Sequence, residues 1–533
     1  PMGCLRTSYG LPANCYKLPQ APCGRADTRL CRRTIMPDTN LTDNILTDTD
    51  TPVVDPMNIS PAPLAANPTA DPATDPGAQS TTPPAAPLET GDDPSMPETA
   101  APATPNRPDG AESQGALAPQ GNGAPAFGTL KISVVSSVGL IPVENASVTI
   151  SYTGDPGAPL SRLTTDSSGQ TPVIELPAPP LELSLQPENE QQPYSEYNIE
   201  VTAEGYEPVL VSGSEIFAGE LSLQPIRMNP LAVSEEDEKV VIIPAHTLFG
   251  TFPPKIPEDE IKPMAETGEI VLSRVVIPEY VIVHDGVPSD PTAPNYWVRY
   301  KDYIKNVASC EIYSTWPENA LYANVLAIMS FTLNRVYTEW YRNQGYNFTI
   351  TSSTAYDQKW VYGRNIFRNI DYLVDTIFAN YLSRPGVRQP IFTSYCDGKR
   401  VTCSGLSQWG SAYLAEQGYS AIEIIRYYYG NDMYINTAEV ISGVPSSWPG
   451  YSLGIGSSGD KVRQLQTQLN RIAKNYPAIP TVTPDGIYGP ATASAVRAFQ
   501  GIFNLPQTGV TDYPTWYEIS EIYVGVSRIS EPG

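Results

Sequence analysis

Residues 485–500 read DGIYGPATASAVRAFQ, a tight turn followed by a pattern with helical spacing. The glycines of the opening DGIYG favour a turn. Small and apolar side chains then recur three and four residues apart, as on one face of a helix, at Thr492, Ala495, Val496, Phe499 and Gln500. Upstream, a glycine-rich stretch leads into the same spacing at Val462, Leu465, Gln466 and Leu469. With a third helix beginning at Thr515 and Trp516, the pattern predicts a compact three-helix unit over residues 451–525.

The composition of the 533-residue chain excludes several classes of function. It has 33 basic and 57 acidic residues, a formal net charge of −24 and an isoelectric point near 4.5. Such a chain repels phosphates and anionic lipid, so we expect no nucleic-acid partner. No apolar run is long enough for a membrane span, and no secretory signal peptide is visible. The two histidines, His246 and His284, leave few ways to build a zinc site or a histidine-dependent triad.

The first 126 residues differ in character from the rest of the chain. Residues 1–35 are basic and rich in cysteine. One interpretation is a small disulfide or metal knot, although the absence of a CxxC pair weakens the metal version. The other is a non-native or upstream segment, because the character of the chain changes at Met36. Residues 36–126 are acidic, rich in Pro, Ala and Thr and free of aromatic residues, which predicts a disordered tail.

Residues 127–231 alternate apolar and polar side chains and predict a small antiparallel β-sandwich of about seven strands. The alternation is clearest at residues 130–134 (LKISV), 147–152 (SVTISY) and 197–201 (YNIEV). The segment resembles the carboxypeptidase regulatory-like (transthyretin-like) module, which implies an all-β fold without chemistry of its own. Residues 232–269 follow as an acidic, proline-rich linker, which we expect to be extended, exposed and cleavable.

Residues 270–445 form the largest globular segment. Residues 303–312 have helical spacing, and Thr315 and Glu318 then match a T-x-x-E capping box with Pro317 inside the first turn. The helix predicted after this box is apolar on almost every side. That pattern is typical of a helix in the interior of a domain.

The C-terminal unit resembles the peptidoglycan-binding type 1 module. The resemblance lies in G-x-x-G-x-x-V-x-x-L-Q-x-x-L, then D-G-x-Y-G-x-x-T-x-x-A-V-x-x-F-Q, then a T-W pair. It implies a three-helix fold with a shallow groove for cell-wall polymer. Nearly all of the motif residues are core or turn residues, so the motif supports the fold without identifying ligand contacts.

The central segment resembles the SpoIID/LytB family through three blocks in the family's order. The first block is 303–312 (YIKNVASCEI) with 316–321 (WPENAL) and 334–337 (NRVY), the second is 358–363 (QKWVYG), and the third is 405–410 (GLSQWG) with 426–430 (RYYYG). The resemblance implies an α+β catalytic domain over residues 270–445.

The order of the segments indicates a resemblance to a smaller group of proteins. A sandwich, a proline-rich linker, this domain and a wall-binding module are similar in order to the germination-specific spore cortex-lytic enzymes of the SleC type, over residues 128–530. This implies a zymogen at the cortex/coat boundary of the spore, with cortex peptidoglycan and an activating protease as partners. We expect the cleavage between Met264 and Val271, where the prolines give way to a strand-like sequence.

The resemblance implies a lytic transglycosylase whose catalytic residue is Glu311. A single glutamic acid protonates the glycosidic oxygen, and its carboxylate then takes the proton of the C6 hydroxyl, giving a 1,6-anhydro product without water. Ordinary glycosidases, in contrast, need two carboxyl groups. Val307 and Ile312 supply the apolar surroundings that favour such an acid. Glu318 is the nearest rival, but the capping box accounts for it structurally.

Other residues of the blocks are candidates for contact with sugar, through hydrogen bonds or ring stacking. These substrate-binding candidates are Gln358, Tyr362, Asp397, Ser407, Gln408 and Trp409. The alternatives are that the aromatic residues belong to the core and that the aspartates, Asp357 and Asp397, form turns. Cys310 has no histidine base in its segment, so we interpret it as a small buried side chain. Cys396 and Cys403 are close enough to form a short disulfide loop in an oxidising compartment.

The chain departs from typical SpoIID domains in one motif. Residues 401–404 (VTCS) stand where the family often has G-H-G-x-G, so that histidine is absent, as is the Cys/His set that holds zinc in some members. We therefore expect no metal and no other cofactor. The alternative function is a non-catalytic scaffold that binds cortex peptidoglycan. An amidase would need a metal or a Cys–His pair, which this chain does not easily supply.

Overall fold

A computed structural model of the chain describes residues 126–231, 239–262 and 274–527. The predictions for residues 1–35, for the tail up to residue 125 and for the cleavage region lie outside the described residues. In the described part of the chain, no helix is long and apolar enough to cross a membrane.

The first part of the fold consists of two β-sheets that enclose an apolar core. Its elements are β1 (Ala126–Ser136), β2 (Ser147–Tyr152), β3 (Asp155–Thr164), β4 (Ile174–Ala178), α1 (Glu182–Leu185), β5 (Ser195–Thr202), β6 (Val209–Ile216) and β7 (Leu221–Met228). Every second residue of β1 is buried, with Leu130, Ile132 and Val134 fully enclosed. The predicted strands are thus confirmed. The expectation of purely antiparallel pairing is wrong, because β1 lies parallel to β7. We call this part the sandwich.

The central part mixes short strands with helices. Its elements are β8 (Lys239–Ile242), β9 (Val276–Ile277), β10 (Tyr280–His284), β11 (Asn295–Arg299), α2 (Tyr300–Glu311), α3 (Glu318–Tyr337), β12 (Ile350–Thr351), β13 (Ile366–Phe367), α4 (Arg368–Ile377), β14 (Asn380–Ser383), β15 (Tyr395–Cys396), β16 (Leu406–Ser407), α5 (Gln408–Glu416), α6 (Ala421–Tyr429), β17 (Tyr434–Thr437) and β18 (Val440–Ile441). Helix α3 is buried along most of its length, as its apolar sequence predicts. It is the centre around which the other helices pack.

The C-terminal part contains the three predicted helices, α7 (Asp460–Ile472), α8 (Pro490–Ile502) and α9 (Tyr513–Ser527). Its motif glutamines are structural. Gln466 accepts the backbone N–H of Gly486 at 2.8 Å and donates to Thr492 at 3.1 Å, which fixes the turn before α8. Gly486 has φ of +79°, a conformation that glycine adopts without strain. Gln500 holds the next loop in the same way, through the N–H of Gly509 at 2.8 Å.

Each of the two larger sheets contains strands from both the sandwich and the central part. Strand β8 pairs parallel to β6 and completes a five-stranded sheet, β3-β2-β5-β6-β8. Strand β13 pairs with β7 and completes a four-stranded sheet, β13-β7-β1-β4. A buried ion pair between Glu215 and Arg364, 2.8 Å long, reinforces this junction. The sandwich is therefore docked on the central part rather than tethered to it.

The predicted capping box at Thr315 is wrong. Helix α3 begins at Glu318 with Pro317 as its N-cap, and no side chain caps it. The Thr315 hydroxyl instead donates to Ser184 of the sandwich at 2.8 Å, so the docking contact uses the group that the box would have needed. A capping box does occur at α6, between Ser420 and Glu423.

The linker is also different from the prediction in its described portion. We call residues 243–262 the strap. It has little regular secondary structure, but His246, Leu248 and Lys262 are buried against the central part. Residues 251–261 are exposed or half-buried, as expected of a linker. Several side chains between the prolines nevertheless have specific partners in the central part, described below, so the segment is docked and is not a free tether.

Candidate active site

Glu311 is the last residue of α2, and its side chain is only 4% exposed. Its Oε1 accepts the backbone N–H of Lys359 at 2.7 Å. Gln408 Nε2 donates to the Glu311 carbonyl oxygen at 3.0 Å and lies 3.4 Å from Oε2. These three residues belong to the three sequence blocks. The fold therefore gathers all three blocks around one carboxyl group.

A pocket of about 160 Å³ lies at Glu311. Gln408 and Tyr395 form part of its wall, with Asp397 at the rim loop and Lys255 contributed by the strap. Ligand pockets usually measure ~300–1,000 Å³. Six strap residues line one side of this small pocket, namely Thr247, Gly250, Thr251, Phe252, Pro253 and Lys255.

Two side chains close to Glu311, those of Tyr395 and Cys310, are buried and have raised pKa values. Burial raises the pKa of the Tyr395 phenol well above its usual value, and the nearby charge of Glu311 adds to the effect. The Tyr395 hydroxyl is itself buried and lies close to Glu311 and Gln358. Burial also raises the pKa of the Cys310 thiol, and its side chain is 1% exposed. Cys310 is thus the inert buried side chain that the sequence predicts.

A buried network supports the segment that holds Glu311. Asp357 accepts from Arg335 Nε at 2.7 Å, from the Tyr341 hydroxyl at 2.6 Å and from the Thr351 hydroxyl at 2.7 Å. Its oxygens are occupied, so Asp357 positions the chain leading to Lys359 and does not face substrate.

The predicted substrate-binding residues divide into groups. Gln408 and Asp397 line the Glu311 pocket. Asp397 also caps its own loop, accepting the N–H groups of Lys399 at 3.1 Å and Val401 at 2.8 Å. Gln358 is fully buried and is hydrogen-bonded to Tyr303 at 3.1 Å and Thr332 at 2.8 Å.

The remaining candidates lie next to the pocket or away from it. Ser407 caps α5 by accepting the N–H of Gly410 at 3.0 Å. Trp409 packs on Trp316, with ring centroids 4.9 Å apart. Tyr362 lines a separate, larger cavity and not the pocket at Glu311.

Cys396 and Cys403 form a disulfide, with Cα atoms 6.1 Å apart. The bond closes the loop that carries Asp397, and β15 pairs with β16 at its base. This loop forms one rim of the Glu311 pocket. The covalent closure holds the rim in place.

The strap contributes a residue, Lys255, that no sequence pattern singled out. Lys255 lies over the Tyr395 ring, 4.6 Å from its centroid, and donates to the backbone oxygen of Asp357. Burial lowers the pKa of this ammonium, while the carboxylates of Glu311 and Asp357 counteract that effect. A single lysine in a proline-rich linker carries no sequence signal of such a position.

The strap is anchored on both sides of Lys255. Upstream, Thr247 donates from its backbone N–H to the Cys310 oxygen at 3.2 Å. Downstream, Glu258 forms a two-fold ion pair with the buried Arg335, at 2.8 and 2.6 Å. Further on, the Glu260 oxygen accepts the N–H of Phe392 at 2.8 Å. The strap therefore crosses directly over the Glu311 pocket of the central part.

The C-terminal part of the chain matches a known protein family. Residues 458–519 match the family described as "Putative peptidoglycan binding domain". The chain carries a peptidoglycan-binding domain. Among curated proteins, the Zinc D-Ala-D-Ala carboxypeptidase of Streptomyces albus G is 39% identical over 77 residues, which is 14% of this chain and 28% of that protein. The chain thus spans well under half of that relative.

Solved structures give only weak likenesses. The TIE protein of Bacillus anthracis is 17% identical, with 20% of this chain and 17% of that chain covered and a TM-score of 0.14. The minor pilin GBS52 of Streptococcus agalactiae is 15% identical, with 21% and 48% covered and a TM-score of 0.15. These values carry no argument about function.

A zinc site like the one in the relative's name does not fit the side chains described. Across residues 126–231, 239–262 and 274–527, no group of three or more His, Cys, Asp or Glu is placed to hold a metal ion. His284 stacks on Phe348 at 4.5 Å, and His246 is buried beside Tyr313. We derive no step through zinc.

The peptidoglycan-binding domain is joined to the central part by a buried charge cluster. Lys301 of α2 contacts Asp375 at 3.0 Å and, from α9, Glu518 and Glu521 at 2.7 Å each. Burial raises the pKa of Glu518 to about 7, although Lys301 opposes the effect. Phe378 packs against Tyr513 and Tyr517 next to the cluster. The domain is therefore fixed to the central part, not flexibly linked.

We expect Lys301→Met to loosen this junction. Removing the ammonium leaves several buried carboxyl groups without their common partner, and breaking a buried ion pair costs about 3–5 kcal/mol. Urea unfolding of the full chain should report a loss of this size. The exposed Lys474, also in the peptidoglycan-binding domain, provides the control, since Lys474→Met should change the free energy of unfolding by less than about 0.5 kcal/mol. Equal effects of the two substitutions would contradict the role assigned to the cluster.

Proposed function

We propose that this chain is the zymogen of a lytic transglycosylase that cleaves cortex peptidoglycan during spore germination, stored at the cortex/coat boundary and activated by a protease. The observation that carries the proposal is the gathering of three sequence blocks around the nearly buried carboxyl group of Glu311. The peptidoglycan-binding domain supports the substrate class.

The mechanism needs one acid. Protonated Glu311 gives its proton to the glycosidic oxygen as the bond from that oxygen to the anomeric carbon of muramic acid breaks. The carboxylate then takes the proton of the C6 hydroxyl while O6 bonds to the anomeric carbon, giving the 1,6-anhydro ring. The Lys359 N–H and the Gln408 amide hold the carboxyl group throughout.

The surroundings of Glu311 favour this chemistry over hydrolysis with two carboxyl groups. Asp397 is the other acidic side chain that lines the pocket, within the described residues. Its oxygens are engaged by the N–H groups of its own loop, which leaves it poorly placed to activate water. A hydrolase would need a second, available carboxylate.

The strap supports storage as an inactive precursor. Lys255 lines the Glu311 pocket from the strap and narrows it. The proposed cut between Met264 and Val271 lies after the strap in sequence, so cleavage leaves the strap on the released fragment together with the sandwich.

We expect Lys255→Ala to give the uncut full chain measurable activity. The substitution removes a side chain that narrows the pocket, while the Glu258–Arg335 pair still holds the strap. Release of soluble muropeptides from isolated cortex should rise at least about threefold over the uncut wild type, a change of less than 1 kcal/mol in barrier. Lys474→Ala is the matched control and should leave the rate unchanged. No rise with Lys255→Ala would contradict the blocking role of this lysine.

A second candidate function is a cortex-binding scaffold without turnover. The absence of the family's histidine motif in residues 401–404 favours it. Mass spectrometry of digested cortex separates the two, because a scaffold releases no muropeptides and a transglycosylase leaves anhydro ends.

A further inference from the structure

A second cavity, of about 550 Å³, lies where the sandwich, the central part and the peptidoglycan-binding domain meet. Edge strand β11 runs along it, and the sandwich contributes Arg227 while the peptidoglycan-binding domain contributes Phe503 and Asn504. The volume falls within the usual ~300–1,000 Å³ of ligand pockets. Nothing in the proposed reaction at Glu311 uses this cavity.

Aromatic rings dominate one wall of the cavity. Tyr296 lies 5.4 Å from Trp360 and 4.9 Å from Tyr362, measured between ring centroids. On the other face of β11, Trp297 lines the cavity and is 70% exposed, a high value for so large an apolar side chain. An exposed tryptophan beside a ring cluster is typical of a binding surface.

Polar groups accompany the rings. The indole N–H of Trp360 has no acceptor within the described residues, although the side chain is only 4% exposed. Lys239 donates to the Tyr362 hydroxyl at 2.7 Å and lies 4.9 Å from its ring centroid. The lining also carries further charges of both signs, the basic Arg227, Arg299, Lys305 and Arg364 and the acidic Asp302, Asp371 and Glu518. Buried donors of this kind usually have a partner.

We propose that this cavity is an accessory subsite for the glycan strand of peptidoglycan. Pyranose rings present flat C–H faces that pack on aromatic rings, and their hydroxyl and acetamido groups provide acceptors for indole and ammonium donors. The carboxylate of a muramic residue complements Lys239 and Arg227. The peptidoglycan-binding domain forms part of the lining of the same cavity. The inference deepens the proposed function and rests on it only for the identity of the polymer.

The subsite is connected to Glu311 through one short segment. Trp360 and Tyr362 face the cavity, while the backbone N–H of the adjacent Lys359 holds the Glu311 carboxyl group. The Asn306 side chain fixes this segment to α2, with bonds of 3.0 and 2.8 Å to the N–H and oxygen of Val361. We expect glycan bound in the cavity to contact the same segment that holds the Glu311 carboxyl group.

Hydrogen–deuterium exchange of the full chain tests the subsite. The protein carries Glu311→Gln to prevent turnover, and the probe is a purified tetrasaccharide of alternating N-acetylglucosamine and N-acetylmuramic acid. We expect slower exchange in β11 and in residues 359–363. Trp297→Ala should lower the affinity for the tetrasaccharide, measured from this protection, about tenfold. Tyr427→Ala is the control, because Tyr427 is 65% exposed and does not line the cavity. Tyr362→Phe keeps the ring and should weaken binding less than Trp297→Ala.

The outcomes separate the subsite from the proposed reaction. Protection confined to the peptidoglycan-binding domain or to the Glu311 pocket overturns the subsite, as does protection of β11 by the free stem peptide alone. An equal loss with Tyr427→Ala also overturns it. Protection of β11 by the tetrasaccharide supports the subsite even when digestion of cortex yields no anhydro ends. The absence of anhydro ends would contradict only the proposed transglycosylase activity.

Discussion

Replacing Glu311 by Gln should abolish the release of anhydromuropeptides by the activated protein. Gln keeps the shape of the side chain and an oxygen that accepts the Lys359 N–H, but it cannot donate a proton and then take one back. General acid–base catalysis contributes ~10²–10⁴-fold, so the rate should fall by at least about a hundredfold. The rate of anhydro-product formation on isolated cortex, measured with equal amounts of cleaved protein, gives the result.

Glu318→Gln is the matched control for this substitution. Glu318 is exposed at the start of α3, seven residues along the chain, and makes no contact that the reaction needs. It should retain full activity, and both variants should unfold at the same urea concentration as wild type. Retention by Glu311→Gln of more than about a tenth of the wild-type rate would show that another group acts as the acid.

Cutting the chain between Met264 and Val271 should convert an inactive protein into an active one. Replacing residues 265–270 by the recognition sequence of a site-specific protease allows the protein to fold whole and then be cut. Activity on decoated spores should rise at least about tenfold, because the strap and Lys255 leave the Glu311 pocket. A chain with a scrambled, uncleavable sequence at the same place is the control.

The contacts of the strap predict that activity lags behind cleavage. The Glu258–Arg335 pair, the Glu215–Arg364 pair and the β13–β7 pairing remain after the bond is cut, so the fragment stays bound until it dissociates. Size-exclusion chromatography with parallel assays should show activity in proportion to the released fragment. Full activity in the uncut chain would contradict the zymogen.

Local patterns predicted much of the fold. Helical spacing identified α7 and α8, because their apolar positions must face a core. Period-two alternation identified β1, since one of its faces is buried. The three blocks around Glu311 were located by resemblance, and the structure places their residues in contact. The resemblance made Gln358 and Asp397 candidates for substrate binding. Gln358 is fully buried, whereas Asp397 lines the Glu311 pocket and also caps its own loop.

The sequence patterns could not predict contacts between segments that are far apart in the chain. The docking of Lys255 beside Glu311 depends on the path of an irregular chain between prolines, which has no periodicity to read. The pairing of β13 with β7 joins two-residue and eight-residue strands that are far apart in sequence, and a two-residue strand has no pattern of its own. Tyr362 belongs to the same sequence block as Gln358, but the chain turns near Tyr362. Tyr362 therefore faces the larger cavity and not the Glu311 pocket.

Mass spectrometry of the muropeptides released from isolated cortex tests the central claim most directly. The cleaved wild-type protein and cleaved Glu311→Gln should be compared, with the products left unreduced so that the ends of the glycan are seen as they form. The account predicts 1,6-anhydromuramic ends with the wild type and none above background with the variant. Free reducing ends would indicate a hydrolase, cut stem peptides an amidase or peptidase, and unchanged cortex a binding protein, and each of these results would contradict the assignment of Glu311 as the acid of a lytic transglycosylase.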